Sequence, residues 1–434
     1  MKKITKSIVA ATLLTTSLNA ASFQVLGSKA TSMGGAGIAT SPSSLASYNN
    51  PALLAKNKKT FAFHTGVGIG YKDNGVLDTV SQLDDLNFAD LIDKYENYDY
   101  LSIGSLTPAQ LRAEVGADIN SLEKAKNIIL GANNQSFNVA PTVDIAFAVK
   151  NFGFGIFANA DIAGTSKVDQ QYNRLIVENG GNYYELDSNN IVTPLGTDST
   201  AYKSSSLIYS MDEGVGTTGV QLDALAVIEI PVAYGHAFGT DFGDIYLGGA
   251  FKLMKGTTYS SFHSFSSDED ILDNFDESKK ESTTVGLDLG VAYNPSFDED
   301  LTLALVGKNL NSPSFDKTNG GEFKLDPMVR AGAAYKISFV ELAFDVDLTE
   351  NESINGMKSR YVGGGASFDL FILDLNAGLM KNLSSNDDSG LIYTAGVSMG
   401  PVELSAQMAS KSTHIDGTKL PKQASVNLAI AFSW

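Results

Sequence analysis

In run after run of this chain, charged side chains share a parity with glycine, alanine and serine, while the alternate positions are apolar. Asp144, Ala146, Ala148 and Lys150 alternate with Val143, Ile145, Phe147 and Val149. Successive side chains of a strand point to opposite faces, so this pattern describes a ribbon with one ionic face and one apolar face. The split recurs: Glu229 against Ile228 and Ile230, Lys252 against Phe251 and Leu253, Asp288 against Leu287 and Leu289. Further on, Lys308 opposes Leu303 and Leu305, Arg330 opposes Val329 and Ala331, and Asp345 and Asp347 oppose Phe344, Val346 and Leu348. A charge on a lipid-facing row at the bilayer midplane costs roughly 2–4 kcal/mol, so consistent one-sidedness fits a membrane barrel with a polar lumen. A soluble β-sandwich produces the same alternation with the opposite sense, its apolar rows inside. The start of the chain, the glycine-rich second face and the strand count decide between them.

The chain starts Met1-Lys2-Lys3-Ile4-Thr5-Lys6, continues through an apolar and small-residue stretch to Leu18, and reaches Ala20 and Ala21. This is the layout of a secretory signal peptide, expected to occupy residues 1–20 with cleavage after Ala20 or Ala21. Beyond it no run of 18 apolar residues occurs, so any membrane crossing is made by strands. Losing Lys2, Lys3 and Lys6 takes the formal charge from -18 to -21, which argues against nucleic acid or an anionic lipid surface as the main partner. With no cysteine, neither disulfides nor thiol chemistry contribute. The 41 glycines and 23 phenylalanines are spread through short alternating runs.

Parity and turn residues give fourteen strands, at about 60–72, 141–150, 152–164, 222–238, 244–264, 282–294, 300–310, 324–336, 339–349, 359–369, 371–381, 390–399, 402–411 and 423–434. The count is even, and tight turns at Asn151, Ser338, Leu370 and Gly400–Pro401 alternate with long connections at 73–140, 165–221 and 265–281. Short turns on one side and long loops on the other are the layout of an outer-membrane barrel. The 73–140 connection is expected to be helical. Thr107, Pro108 and Gln110 form an N-cap, a first-turn proline and a capping-box partner ahead of Leu111, Val115, Leu122 and Ile129. Leu77 to Leu91 offers another helix, whereas 165–221, rich in Asn, Gly, Ser and Tyr, shows no defined element. The fold class is therefore all-β: a 14-stranded antiparallel transmembrane barrel over residues 58–434 with a helical extracellular insertion.

Ahead of the first strand stand Phe23-Gln24-Val25-Leu26-Gly27, Ser32-Met33-Gly34-Gly35-Ala36-Gly37-Ile38-Ala39 and Leu45-Ala46-Ser47-Tyr48-Asn49-Asn50-Pro51-Ala52. This stretch resembles the opening of the FadL-type hydrophobic-compound transporters, and also that of related barrels described as TraF-like conjugal transfer proteins. The resemblance is close over about 30 residues and architectural beyond them. It implies a 14-stranded barrel whose lumen is closed by a plug at 21–57, with Gly34, Gly35, Gly37, Asn50, Pro51 and Ala52 as the plug motif. Without that resemblance the same glycines permit tight turns and nothing more. No strand precedes them, so a phosphate cradle is not indicated. The resemblance also implies sideways exit through a strand irregularity. Gly153 and Gly155 are the candidates, with close packing against the plug as the other reading.

Other residue groups point to less. His64, His236, His263 and His414 lack ligand spacing, and no motif marks a nucleophile, so neither a metal, a cofactor nor catalysis is expected. The acidic run from Ser267 to Glu277 lacks the EF-hand glycine and reads as a solvated loop tip. The inward charges Lys308, Arg330, Asp345 and Asp347 are expected to form a lumenal network around the plug. Phe432 and Trp434 resemble the aromatic ending that the barrel-assembly machinery recognises, which makes that machinery and outer-membrane lipid the expected partners. Together these features imply passive uptake of a small hydrophobic compound, a fatty acid or aromatic hydrocarbon. The alternative is a structural barrel of a conjugation or secretion apparatus.

Overall fold

The structure is a computed structural model describing residues 25–103, 106–189, 191–212, 214–265, 279–385, 387–415 and 418–434. The signal peptide expected at 1–20, Phe23 and Gln24 of the opening motif, and the acidic run 267–277 lie outside these residues. Fourteen antiparallel strands close into one barrel. They are β1 (Phe61–Asn74), β2 (Ser136–Val149), β3 (Phe152–Lys167), β4 (Gly219–Thr240), β5 (Gly243–Ser264), β6 (Lys279–Pro295) and β7 (Leu301–Lys308). The second half comprises β8 (Met328–Ile337), β9 (Val340–Asp347), β10 (Tyr361–Asp369), β11 (Leu373–Asn382), β12 (Leu391–Met399), β13 (Val402–Ala409) and β14 (Gln423–Ser433). Each strand pairs with its neighbours in chain order, and β14 closes on β1 through partners such as Phe63↔Phe432.

Alternation becomes wall geometry directly. On β2, Val143, Ile145, Phe147 and Val149 face outward and are exposed, while Asp144, Ala146 and Ala148 are buried. The outward row repeats on β5, β6 and β7 with Phe251, Leu253, Leu287, Leu289, Leu303 and Leu305. A continuous outward apolar band with buried ions inside is stable only when lipid surrounds it. Aromatic pairs mark the short-turn end of the closing seam: Phe61 on Trp434 at 4.6 Å between centroids and Phe63 on Phe432 at 5.0 Å. Two-residue turns there use left-handed residues, Lys150 at φ 51° and Ser338 at φ 54°, which matches the twist of the flanking strands.

The long connections differ from the sequence reading in two respects. The helical insertion occupies 75–135 rather than 73–140, because β1 and β2 stay paired out to Asn74↔Ser136. Those outer rungs carry no lipid-facing pattern and are held by backbone pairing together with side-chain contacts such as Tyr71 on Phe137 and Asn138 to Asp161. The 165–221 connection is not featureless: it holds a three-stranded sheet, Ile176–Asn179, Asn182–Asp187 and Ile191–Gly196, and helices Thr200–Ser205 and Leu207–Ser210. In the insertion, helices Phe88–Glu96 and Pro108–Gly131 pack on that sheet, and helix Val76–Asp85 packs against both of them. Thr107 and Gln110 form the reciprocal capping box. Phe88, Tyr95, Ile119, Leu122, Leu175, Val177 and Leu207 make a core separate from the barrel, and Tyr100 stacks on Tyr184 at 3.6 Å. This cap lies at the long-loop end of the barrel, where Asp78 accepts from Thr413 Oγ1.

Candidate functional site: the filled lumen and its side cavity

Residues 25–57 run inside the barrel as two short helices, Ser28–Ser32 and Ser43–Asn49, and a 3-10 helix, Pro51–Lys56. Local chemistry shapes them. Asn50 precedes proline, sits in extended backbone, and accepts from Ala52 N–H at 3.1 Å, starting the 3-10 turn. Its Nδ2 donates to Ile38 O at 2.9 Å, tying the two halves of the segment. Asn49, unremarked in the sequence reading, accepts from Leu26 N–H and donates back to Leu26 O. Gly34 and Gly35 lie at φ 71° and 74°, a conformation that suits glycine. Gly37 has no room for a side chain, since a Cβ would sit 2.3 Å from Val25 Cγ1.

The wall holds this segment through polar groups projecting inward. Asp345 Oδ2 accepts from Gly37 N–H at 2.8 Å and Ile38 N–H at 3.1 Å. Arg330 donates to Gly35 O at 3.2 Å while its Nε pairs with Asp347 at 2.7 Å. Lys308 lies over the Tyr48 ring, 3.2 Å from its centroid. Thr394 accepts from Gly34 N–H and donates to Ser32 O, Gln407 donates to Thr31 O, and Lys29 pairs with Glu341. All four lumenal charges singled out in the sequence thus sit at the segment: Arg330, Asp345 and Lys308 touch it, and Asp347 stands behind Arg330. A further cluster, Lys252 with Glu229 at 2.8 Å and Asp288 at 3.1 Å, is buried beside it. Hydrogen bonds to charged groups in such surroundings are each worth about 1.5–3 kcal/mol.

Wall glycines make the fit possible. A Cβ on Gly363 would lie 2.0 Å from Gly34 O, one on Gly378 2.4 Å from Gly34 N, and one on Gly248 2.2 Å from Pro51 C. Only glycine allows backbone to approach backbone this closely. Gly153 belongs to the same set, for its Cβ would meet Leu54 at 2.9 Å and Ser47 at 3.0 Å. Gly155 makes room for the Phe157 ring, 2.5 Å from a built Cβ. Both glycines pair across to β2 without register shift. On the β4 side pairing lapses between Phe154↔Val232 and Phe157↔Glu229, where Pro231 has no N–H to give. Phe432 and Trp434 face outward at the seam.

The segment leaves part of the lumen unfilled. A cavity of about 200 Å³ lies beside β1, β2 and β14, lined among others by His64, Thr142, Asp144, Asp161 and Asn427. Its inner end is residues 25–28 of the segment, and its outer end includes Lys72 and Tyr361. No group of three or more His, Cys, Asp or Glu side chains among the described residues could hold a metal ion.

Comparison with known proteins places the chain. Among solved structures it is similar to the Ralstonia pickettii toluene transporter TbuX, at 12% identity over 95% of this chain and 99% of that one, TM-score 0.49. It is also similar to the P. putida toluene transporter TodX (10% identity, 95% and 99% covered, TM-score 0.47) and to a Pseudomonas aeruginosa FadL homologue (11%, 96% and 99%, 0.44). The fold rests on the observed strand pairing and not on these likenesses. No curated protein matches. Residues 47–347, more than half the chain, match the family described as "F plasmid transfer operon, TraF, protein". This 14-stranded membrane barrel, with its lumen occupied by its own N-terminal segment, therefore belongs to the TraF family so described.

Proposed function

We propose that the chain is an outer-membrane barrel for passive uptake of small hydrophobic compounds, closed at rest by residues 25–57. The observation that carries this reading is the way the lumen is shut. The wall closes on itself with only a short lapse in pairing at Pro231, whereas the segment filling the lumen hangs on hydrogen bonds from Asp345, Arg330, Thr394 and Gln407 and can shift. A barrel serving only as a scaffold has no use for such a device. The cap above the mouth supplies apolar surface for first capture, with Leu83, Leu86, Leu91 and Leu106 partly covered and Leu101 exposed. Cells lacking the chain should take up radiolabelled toluene or a fatty acid more slowly than complemented cells. Normal uptake of every such compound would sink the reading. In planar bilayers the native chain should show almost no conductance; a large steady conductance would make it a general porin.

A second reading, a structural component of a conjugation apparatus, is favoured by the family match, which spans both cap segments. It predicts a loss of mating efficiency without any uptake defect. Under either reading the partners are outer-membrane lipid and the barrel-assembly machinery, and deleting Trp434 should lower outer-membrane yield.

A further inference from the structure

On β1 the lumenal row is His64, Gly66, Gly68 and Gly70, and its neighbours on β2 and β14 mix alanine with four polar residues. Gly66 pairs with Asp144, Gly68 lies between Thr142 and Asn427, and Gly70 faces Ser425. Without side chains on β1, the polar groups of both flanking strands lean into the recess. A Cβ on Gly68 would fall 1.9 Å from Asn427 Oδ1 and 2.7 Å from Thr142 Oγ1, and one on Gly66 3.0 Å from Asp144 Oδ1 and 3.1 Å from His64 Nε2. No plug backbone fills this recess as it fills the one at Gly363 and Gly378; the cavity does.

Two features indicate what the recess would take. His64 is 1% exposed and its Nδ1 has no hydrogen-bond partner, although Nε2 lies 3.2 Å from Asp144. A buried polar atom left unmade costs about 1–3 kcal/mol, which a ligand in the recess recovers only by a turn of the imidazole toward it. The charge balance of the lining is also one-sided. Its cations Lys72, Arg330 and Lys358 are each paired to a carboxylate outside the lining: Asp387, Asp347 and Glu350. Among the described residues, its carboxylates Asp144, Asp161 and Asp345 have no such cationic partner within salt-bridge distance; Asp144 faces the His64 imidazole, and the other two accept hydrogen bonds from neutral groups. The two cap segments are acidic as well. Residues 75–135 hold ten carboxylates against four cations, and residues 168–218 seven against two. A cleft of one sign concentrates solutes of the other and repels its own.

We infer that the recess formed by His64, Gly66, Gly68, Thr142, Asp144 and Asn427 binds a small aromatic or aliphatic hydrogen-bond donor, uncharged or cationic, and rejects carboxylates. The site narrows the substrate class of the uptake reading, on which its biological use rests: alcohols and amines rather than fatty acids. Its size suits a single ring or a short chain. The acidic lining discriminates by charge, and the polar corner by hydrogen bonding.

Benzylamine, benzyl alcohol and benzoate, alike in size, provide the test. Binding of each to the purified full chain in phospholipid nanodiscs is measured by titration calorimetry at pH 7, with empty nanodiscs as the partition control. Benzylamine and benzyl alcohol should bind, and benzoate at least ten-fold more weakly than benzylamine. Asp144→Asn keeps the shape of the corner and should weaken benzylamine several-fold while sparing benzyl alcohol. Equal affinity for benzoate, no binding of any of the three, or an unchanged preference in Asp144→Asn would overturn the site. Cellular uptake of the same three compounds separates the two claims. Binding with the stated preference but no uptake defect in the deletion strain would leave the site standing and remove the transport reading.

Discussion

Two glycine-lined stretches of the same wall behave in opposite ways. On β10 and β11, Gly363, Gly365 and Gly378 are met by the backbone of Met33 and Gly34, so the missing side chains are replaced by another stretch of main chain. On β1, Gly66 and Gly68 are met by the ends of side chains from β2 and β14, and beyond them lies open volume. Glycine thus does two jobs in one cylinder. In one place it allows a rigid contact, where any added atom strikes backbone. In the other it sets the width of a recess whose rim can yield. The contrast explains how the lumen can be both shut and partly hollow.

That difference can be tested from its strongest consequence downward. Asp345→Ala strips the acceptor from two buried N–H groups, those of Gly37 and Ile38, and should cost roughly 2–6 kcal/mol at about 1–3 kcal/mol for each unmade bond. The expected readout is a lower urea midpoint for the folded barrel together with new conductance in planar bilayers; a variant as closed as the native chain would break the account of the hatch. Gly378→Ala places a methyl against Gly34 N and Met33 C and should cost about 1–3 kcal/mol by overpacking. Gly66→Ala meets only the movable tips of Asp144 and His64, so its cost should stay under about 1 kcal/mol. If the two alanine variants were equally destabilised, the distinction between the stretches would fail.

The cap offers smaller effects, independent of the barrel. Thr107→Ala removes the N-cap of the helix Pro108–Gly131 and should lower cap stability by about 1 kcal/mol, visible as faster amide exchange in that helix with the barrel unaffected. Glu96 gives the pH dependence. Burial, then the neighbouring Asp93, Asp212 and Glu178, raise its carboxyl pKa above the usual value. The folded cap therefore holds this proton more tightly than the unfolded chain, and its stability falls as pH rises through that raised value. Glu96→Gln should flatten this slope and stabilise the cap at neutral pH by under about 1 kcal/mol after solvent screening. A variant with an unchanged pH profile would remove Glu96 from the explanation.

Much of the barrel could be read before any coordinates. Every strand core was placed by parity, because lipid on one side and a polar lumen on the other impose the alternation at each rung. The capping box at Thr107 was equally legible, being local. The upper rungs of β2, Ser136 to Ala140, were missed because beyond the apolar band the side chains lose their alternating pattern and meet partners far along the chain, as Asn138 meets Asp161. The sheet within 168–218 was missed for a related reason. Its strands are four to six residues long, and their core partners, such as Ile119 and Leu122, lie in another connection.

At the site the division is sharper. The sequence by itself determined that a chain with these parities must segregate ions inward, and that Gly34 and Gly35 permit tight turns ahead of the first strand. Both follow from forces acting within a few residues. Only the tertiary structure decided that Asp345 grips Gly37, that Thr394 reaches Gly34 across 360 positions, and that Gly153 yields to Leu54 while Gly66 faces a cavity. Glycine carries no side chain to announce its neighbour, and a closed sheet brings together residues whose separation along the chain has no bearing on their distance across the lumen.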